Sequence, residues 1–222
     1  MFSLLRLRAL VTLAAIVAFT PAALAGPPLI CHPFVTDEAT PSLPWVASRD
    51  WYSPEPGYDV AALPADTLKL LSPDAPVLAR MENMRRATIY ADRDLAIAGE
   101  LLGAVLARTK TAPTDPRAAA LAWFDAGYLV ETYRQLDLIH KHEMRRINGR
   151  ATSMVPAEAA ALDGYVLVQK ALAMTPVGKA EIEFAASLMT TNPVAAAHRE
   201  RAAANAVSGS LLAQNLAVFG VE

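Results

Sequence analysis

Proline is spread so unevenly that it divides the chain into two kinds of segment. Pro27, Pro28, Pro33, Pro41, Pro44, Pro54, Pro56 and Pro64 are half of the 16 prolines, all within residues 26–64. A proline inside a helix removes a backbone hydrogen bond and clashes with the preceding turn, so no helix runs through such a stretch. Trp45, Trp51, Tyr52 and Tyr58 lie in the same segment, and a solvated linker has little reason to carry so much aromatic surface. The expectation for 26–64 is an extended arm packed on a body. Its prolines lower the entropy lost on docking, and each tryptophan fills a groove between helices. An aromatic-lined site for a sugar or peptide at Trp45 and Trp51 is the functional alternative.

From residue 65 to 222 the punctuation is helical. Ser72-Pro73, Asp115-Pro116, Thr175-Pro176 and Asn192-Pro193 each place a capping residue before a proline, whose missing N–H costs nothing at the first helical position. With Asp92 as a further cap and Gly149 as a stop, they predict a short helix over 64–71 and longer ones over 75–91, 93–108, 116–147, 157–174, 177–190 and 194–218. The 45 alanines, against 10 glycines, suit closely packed helices. The fold expected is all-α, a helical-hairpin array or bundle of about seven helices, with sequential helices antiparallel across short connections.

The first 25 residues read as a secretory leader. Arg6 and Arg8 supply the positive flank, Leu10 to Phe19 the apolar stretch, and Ala23-Leu24-Ala25 a small-residue cleavage site before Gly26. Cleavage there removes two of the 20 basic residues and none of the 22 acidic ones, leaving a formal charge of −4. That acidity argues against a nucleic-acid partner. No later segment is long and apolar enough for a membrane span. The chain is therefore expected to be exported, to a periplasm or beyond, without a transmembrane anchor. Cys31 is a single cysteine preceded by Ile30, a context unlike a lipoprotein attachment site, and is expected to be a buried or idle thiol.

Apolar periodicity supports the division: Met81, Met84, Thr88 and Ala91 recur at helical spacing, as do Leu95, Ala98, Leu102, Val105 and Leu106. Gly99 and Gly103 predict a close helix–helix contact. Leu121, Trp123, Phe124, Tyr128, Leu129 and Val130 cover every direction around one helix, which makes it the central one. An internal echo relates Asp125-Ala126-Gly127-Tyr128-Leu129-Val130 to Asp163-Gly164-Tyr165-Val166-Leu167-Val168, with the Gly-Tyr pairs 37 residues apart. Together with Ala171-Leu172-Ala173 and Ala185-Ala186, this small/large alternation over 75–190 resembles tetratricopeptide-like helical repeats. The resemblance implies a hairpin array with a concave face for partners.

Asp125 stands out because it lies on an apolar face beside Leu121, Tyr128 and Leu129, where a carboxylate needs partners. Arg85, Arg86 and the hydroxyls of Tyr90 and Tyr165 are the candidates. A structural ion pair and an acid or base in an interior cleft are both open, and Glu131 invites the same question. Asp137, His140 and Glu143 recur at spacings of three, a start for a metal site and no more, since neither paired Glu-x-x-His nor H-E-x-x-H is present. Nucleophile-elbow, phosphate-loop and dinucleotide motifs are also missing, and no cofactor is expected.

These readings favour a non-enzymatic protein- or peptide-interaction module of the cell envelope. The alternative is a small-ligand protein or enzyme with a pocket near Asp125, Glu131 and Tyr128, beneath an arm contributing Trp45 and Trp51. An interaction module predicts an open, shallow groove, and a catalytic centre a deep pocket with convergent polar groups.

Overall fold

Asp115 opens the longest helix, its carboxylate accepting from Arg117 N at 3.1 Å and Ala118 N at 3.3 Å, with Pro116 at the first helical position. This helix, α5 (Pro116–Asn148), runs 33 residues, about 50 Å at 1.5 Å per residue. The computed structural model describes residues 27–47, 51–92, 94–111, 115–148, 155–174 and 178–220, with the side chains of 143–148 excepted. Among them are ten α-helices and no strand, so the fold is all-α.

Ahead of α5 come α1 (Pro28–Cys31), a 3-10 turn at Val60–Ala62, α2 (Leu63–Leu70), α3 (Val77–Tyr90) and α4 (Leu95–Lys110). After it come α6 (Ala157–Ala160), α7 (Gly164–Met174), α8 (Lys179–Ser187), α9 (Val194–Ala204) and α10 (Leu211–Val218). α5 packs against α1, α3, α4, α6 and α7. Phe124, Tyr128, Leu129 and Val130 have no solvent exposure, as expected of a central helix. A tetratricopeptide-like array would stack each hairpin on its neighbours alone. Here α3, α4 and α7 all pack on α5, while α8 and α9 pack mainly on each other.

Two of those packings differ in direction. Arg80 meets Asp125 and Thr88 meets Thr132, so α3 runs parallel to α5, as helices two apart in an antiparallel series do. Arg108 meets Asp125 while Tyr133 donates to Ala98 O, so α4 runs antiparallel.

The expected close contact at Gly99 and Gly103 is absent: a Cβ at either glycine would meet nothing within 4 Å. The contact forms between Gly127 and Gly164, where a Cβ on either one would lie 2.5 Å from the other's carbonyl oxygen. The two Gly-Tyr pairs of the internal echo thus face each other across α5 and α7.

Several helix boundaries move for local reasons. Ser72-Pro73 starts no helix, because Ala75 precedes Pro76 and is steered out of helical geometry; α3 begins at Val77. Asp94, not Asp92, caps α4, accepting from Ala96 N and Ile97 N at 3.1 Å. The segment 157–174 breaks before Gly164, where Asp163 accepts from Val166 N at 3.1 Å. The segment 194–218 breaks at Gly209, with φ +76°, and Ser210 caps α10. The division into seven becomes ten for these reasons and because α1 forms. The leader, Thr175-Pro176 and Gly149 lie outside the described residues. Among the described residues, no helix is long and apolar enough to cross a membrane.

Candidate functional site

Glu82, Asn83, Arg85, Arg86 and Tyr90 of α3 reach the N-terminal segment, where they bond largely to backbone. Asn83 accepts from Leu43 N at 2.9 Å and donates to Pro41 O at 3.2 Å. Glu82 accepts from Phe34 N at 3.0 Å. Its carboxylate takes Arg85 Nε and Nη2, both at 2.8 Å, and Arg86 Nε at 2.8 Å. Arg85 Nη1 then donates to Trp51 O at 2.9 Å and Ile30 O at 3.2 Å, and Arg86 Nη1 to Leu43 O at 2.7 Å. Tyr90 donates to Pro44 O at 2.6 Å and accepts from Glu55 N at 2.8 Å. Gln135 on α5 accepts from Leu29 N, and Asn215 on α10 bonds both N and O of Val35. An irregular segment has few backbone partners of its own, and these side chains supply them.

Apolar contacts act on the same segment. Leu29, Ile30, Phe34 and Leu43 are buried, each contributing about 1.5–3 kcal/mol by its removal from water. Trp45 lies under two guanidiniums, with Arg85 Cζ 5.0 Å and Arg86 Cζ 5.5 Å from its ring centre. Trp51 packs beside Ile30, Ile89 and Leu136. Burial pushes the half-buried Cys31 thiol up from its usual value, with nearby Arg85 opposing.

Asp125 is fully buried, and its partners are Arg80 and Arg108 rather than Arg85 and Arg86. Both reach Oδ2, at 2.7 and 2.8 Å. Burial pushes its carboxyl upward and the two guanidiniums pull against that. The same arginines hold the turn between α2 and α3: Arg108 donates to Leu71 O at 2.8 Å, and Arg80 to Ala75 O at 3.1 Å and to Ser72 O. The Tyr128 hydroxyl is buried one turn further on, where loss of water raises its pKa well above the usual value. Neither Asp125 nor Tyr128 reaches solvent. Tyr90 and Tyr165 serve other partners.

A second buried network lies at α8 and α9. Glu183 accepts from His198 Nδ1 and from Arg201 Nε at 3.0 Å, and Tyr165 OH stands 2.7 Å from His198 Nε2. With Nδ1 donating to the carboxylate, Nε2 is left to accept from the tyrosine. Arg201 Nη2 lies 2.7 Å from His198 Nδ1, both groups being drawn to Glu183. Sequence reasoning missed this network, although Glu183 between Ile182 and Phe184 carried the signal that marked Asp125.

Asp137 and His140 take separate partners. His140 Nε2 bonds Asp92 Oδ1 at 2.6 Å, Asp137 pairs with Lys141, and the Glu143 side chain lies outside the described ones. Among the described residues no cluster of three metal-ligating side chains forms. Glu131 lines an open cleft of about 390 Å³ with Arg134, Leu138 and Lys141. Burial raises its carboxyl and Arg134, 3.5 Å away, opposes.

The open surface between these networks is a row of three depressions. The first, about 470 Å³, is lined by Lys179, Glu181, Glu183, Arg201 and Asn205. The second, about 240 Å³, shares Glu181 with it and adds Thr36, Pro76, Val77, Leu211 and Leu212. The third, about 310 Å³, shares Thr40 and Pro76 with the second and continues to Ser72, Ala75 and Lys69. Together the three are termed the trough. The Glu183–His198 pair lies under one end, the Arg80–Asp125–Arg108 group holds the turn walling the other, and Asn215 ties the bordering segment to α10. Comparison with protein-family models, curated proteins and solved structures finds no match to the chain.

Proposed function

We propose that the protein is an exported, non-enzymatic interaction module of the cell envelope, which holds an extended peptide segment of a partner in the trough. The observation that carries this reading is that neighbouring depressions share wall residues, Glu181 between the first and second and Thr40 and Pro76 between the second and third. Each is partly open to solvent, whereas small-molecule sites bury most of their ligand. In this reading residues 26–64 are a strap whose backbone is tied down by α3, and whose Thr36–Pro41 stretch forms one bank of the trough. Export rests on the leader-like residues 1–25.

The test is site-specific photo-crosslinking in cells that export the protein, with the photoreactive residue at Leu211 in the trough and, as control, at exposed Glu100 on α4. The expected result is a polypeptide adduct at 211 and none at 100. Equal labelling at both positions, or none at either, overturns the reading.

A second reading, a small-ligand protein or enzyme centred on Glu131, has the cleft beside that half-hidden carboxylate in its favour. It requires Glu131→Gln to abolish binding or turnover of a small molecule while the Leu211 adduct is unchanged.

A further inference from the structure

We propose that Glu183, His198 and Arg201 form an acid-operated switch: when the His198 ring gains a second proton it keeps the Glu183 carboxylate, and Arg201 lets go and turns outward. The inference holds whether or not the depressions take a peptide.

The parts come from three helices. His198 and Arg201 stand three apart on α9 and so share a face, while Glu183 comes from α8 and Tyr165 from α7. His198 is 4% exposed and Glu183 5%, whereas half of the Arg201 side chain is exposed. The groups that meet the imidazole are Tyr165, Glu183 and Arg201. Glu183 and Arg201 also line the first depression, where Lys179 and Glu181 are the other charged groups.

The conflict is over one atom. His198 Nδ1 and Arg201 Nε, the latter at 3.0 Å, both end on Glu183 Oε2, and Arg201 Nη2 lies 2.7 Å from Nδ1. With the ring neutral, Nδ1 donates to the carboxylate, Nε2 accepts from Tyr165 OH at 2.7 Å, and one cation faces one anion. A second proton, which imidazole takes up within about pH 5–8, puts two cations side by side on a single oxygen. The Tyr165 oxygen accepts as well as donates, so it takes the new Nε2–H and the ring keeps a partner at each nitrogen in both states. The guanidinium is the member that moves. Water meets its open side, where an ion pair contributes little, whereas a buried imidazolium that gave up its carboxylate would be left an unpaired charge. Acid thus commits Glu183 to His198 and leaves an unpaired guanidinium at the first depression, while near neutral pH the same guanidinium is tied down.

The experiment is an NMR titration of the full mature chain from about pH 7.5 to about pH 5, following the His198 ring nitrogens and the Arg201 Nε–H. Near neutral pH the ring is expected to carry its proton on Nδ1, and the Arg201 Nε–H to exchange more slowly than that of free arginine. As the ring takes its second proton, Arg201 is expected to lose this protection with the same midpoint, while the Arg80 Nε–H, bonded to Ala75 O, keeps its own. Arg201→Gln, at a half-exposed position, removes the competing cation and is expected to raise the proton affinity of His198 about three- to tenfold. His198→Gln gives Glu183 an N–H on a group that takes no proton, and Arg201 is expected to stay protected throughout. Protection of Arg201 that persists while His198 titrates overturns the switch. An unchanged His198 midpoint in Arg201→Gln, or a ring that takes no second proton by about pH 5, overturns it as well.

Discussion

The Asn83 carboxamide holds the backbone on both sides of Ser42, taking the N–H of Leu43 and giving an N–H to the carbonyl of Pro41. One side chain on α3 thereby does for an irregular segment what a neighbouring strand does in a sheet. Asn83 is 1% exposed, so removing it leaves the Leu43 N–H without its acceptor. Asn83→Ala is expected to lower unfolding free energy by about 1–3 kcal/mol, measured by urea denaturation, with Leu43 and Pro41 the first region to gain proteolytic sensitivity.

Gly127 and Gly103 predict opposite signs for the same substitution. A Cβ at Gly127 would sit 2.5 Å from Gly164 O and 2.9 Å from the Leu167 Cβ. Gly127→Ala must push α7 off α5, at a cost of about 1–3 kcal/mol. Gly103→Ala meets nothing within 4 Å and is expected to stabilise the helix by up to about 1 kcal/mol. Thermal melting of the two variants checks the pair.

The contrast also shows what was legible before the structure. Periodicity identified α5 as the central helix and glycine spacing announced a close contact, yet that contact formed between the echo's glycines. Burial of Asp125 was readable from its apolar neighbours, but its partners were not. Arg80 lies five residues before Arg85, some 140° around α3, and the rotation of α3 against α5 decides which arginine faces the carboxylate. That rotation comes from packing both helices at once, which neither helix's periodicity contains. The trough was beyond reach for the same reason: its walls come from the N-terminal segment, the turn before α3, α8, α9 and α10.

Glu131 gives the pH test. Burial raises its folded-state pKa above the unfolded value, so the folded chain binds this proton more tightly than the unfolded one. Its contribution to stability is therefore largest below the unfolded value and is lost as pH rises through the folded one. Relative to Glu131→Gln, the wild type is expected to lose unfolding free energy between acidic and neutral pH. A difference that is flat or grows with pH contradicts the placement of this carboxylate.

Cys31 reports on the packing of α1. Its thiol is raised by burial, with only Arg85 opposing, and the thiolate is the reactive form. At pH 8 iodoacetamide is expected to label it several-fold more slowly than free cysteine, and Glu82→Gln, which frees Arg85 and loosens the segment, is expected to speed labelling. Mass spectrometry follows both rates.

Native-state amide hydrogen exchange at Phe34, Val35 and Leu43 tests the central claim most directly. Their N–H groups lie outside helices, and their acceptors are the side chains of Glu82, Asn215 and Asn83. If that segment is held on the bundle by those side chains, the three amides exchange far more slowly than in an unstructured peptide and lose protection together in Asn83→Ala. Exchange at unstructured rates in the wild-type protein would contradict the account.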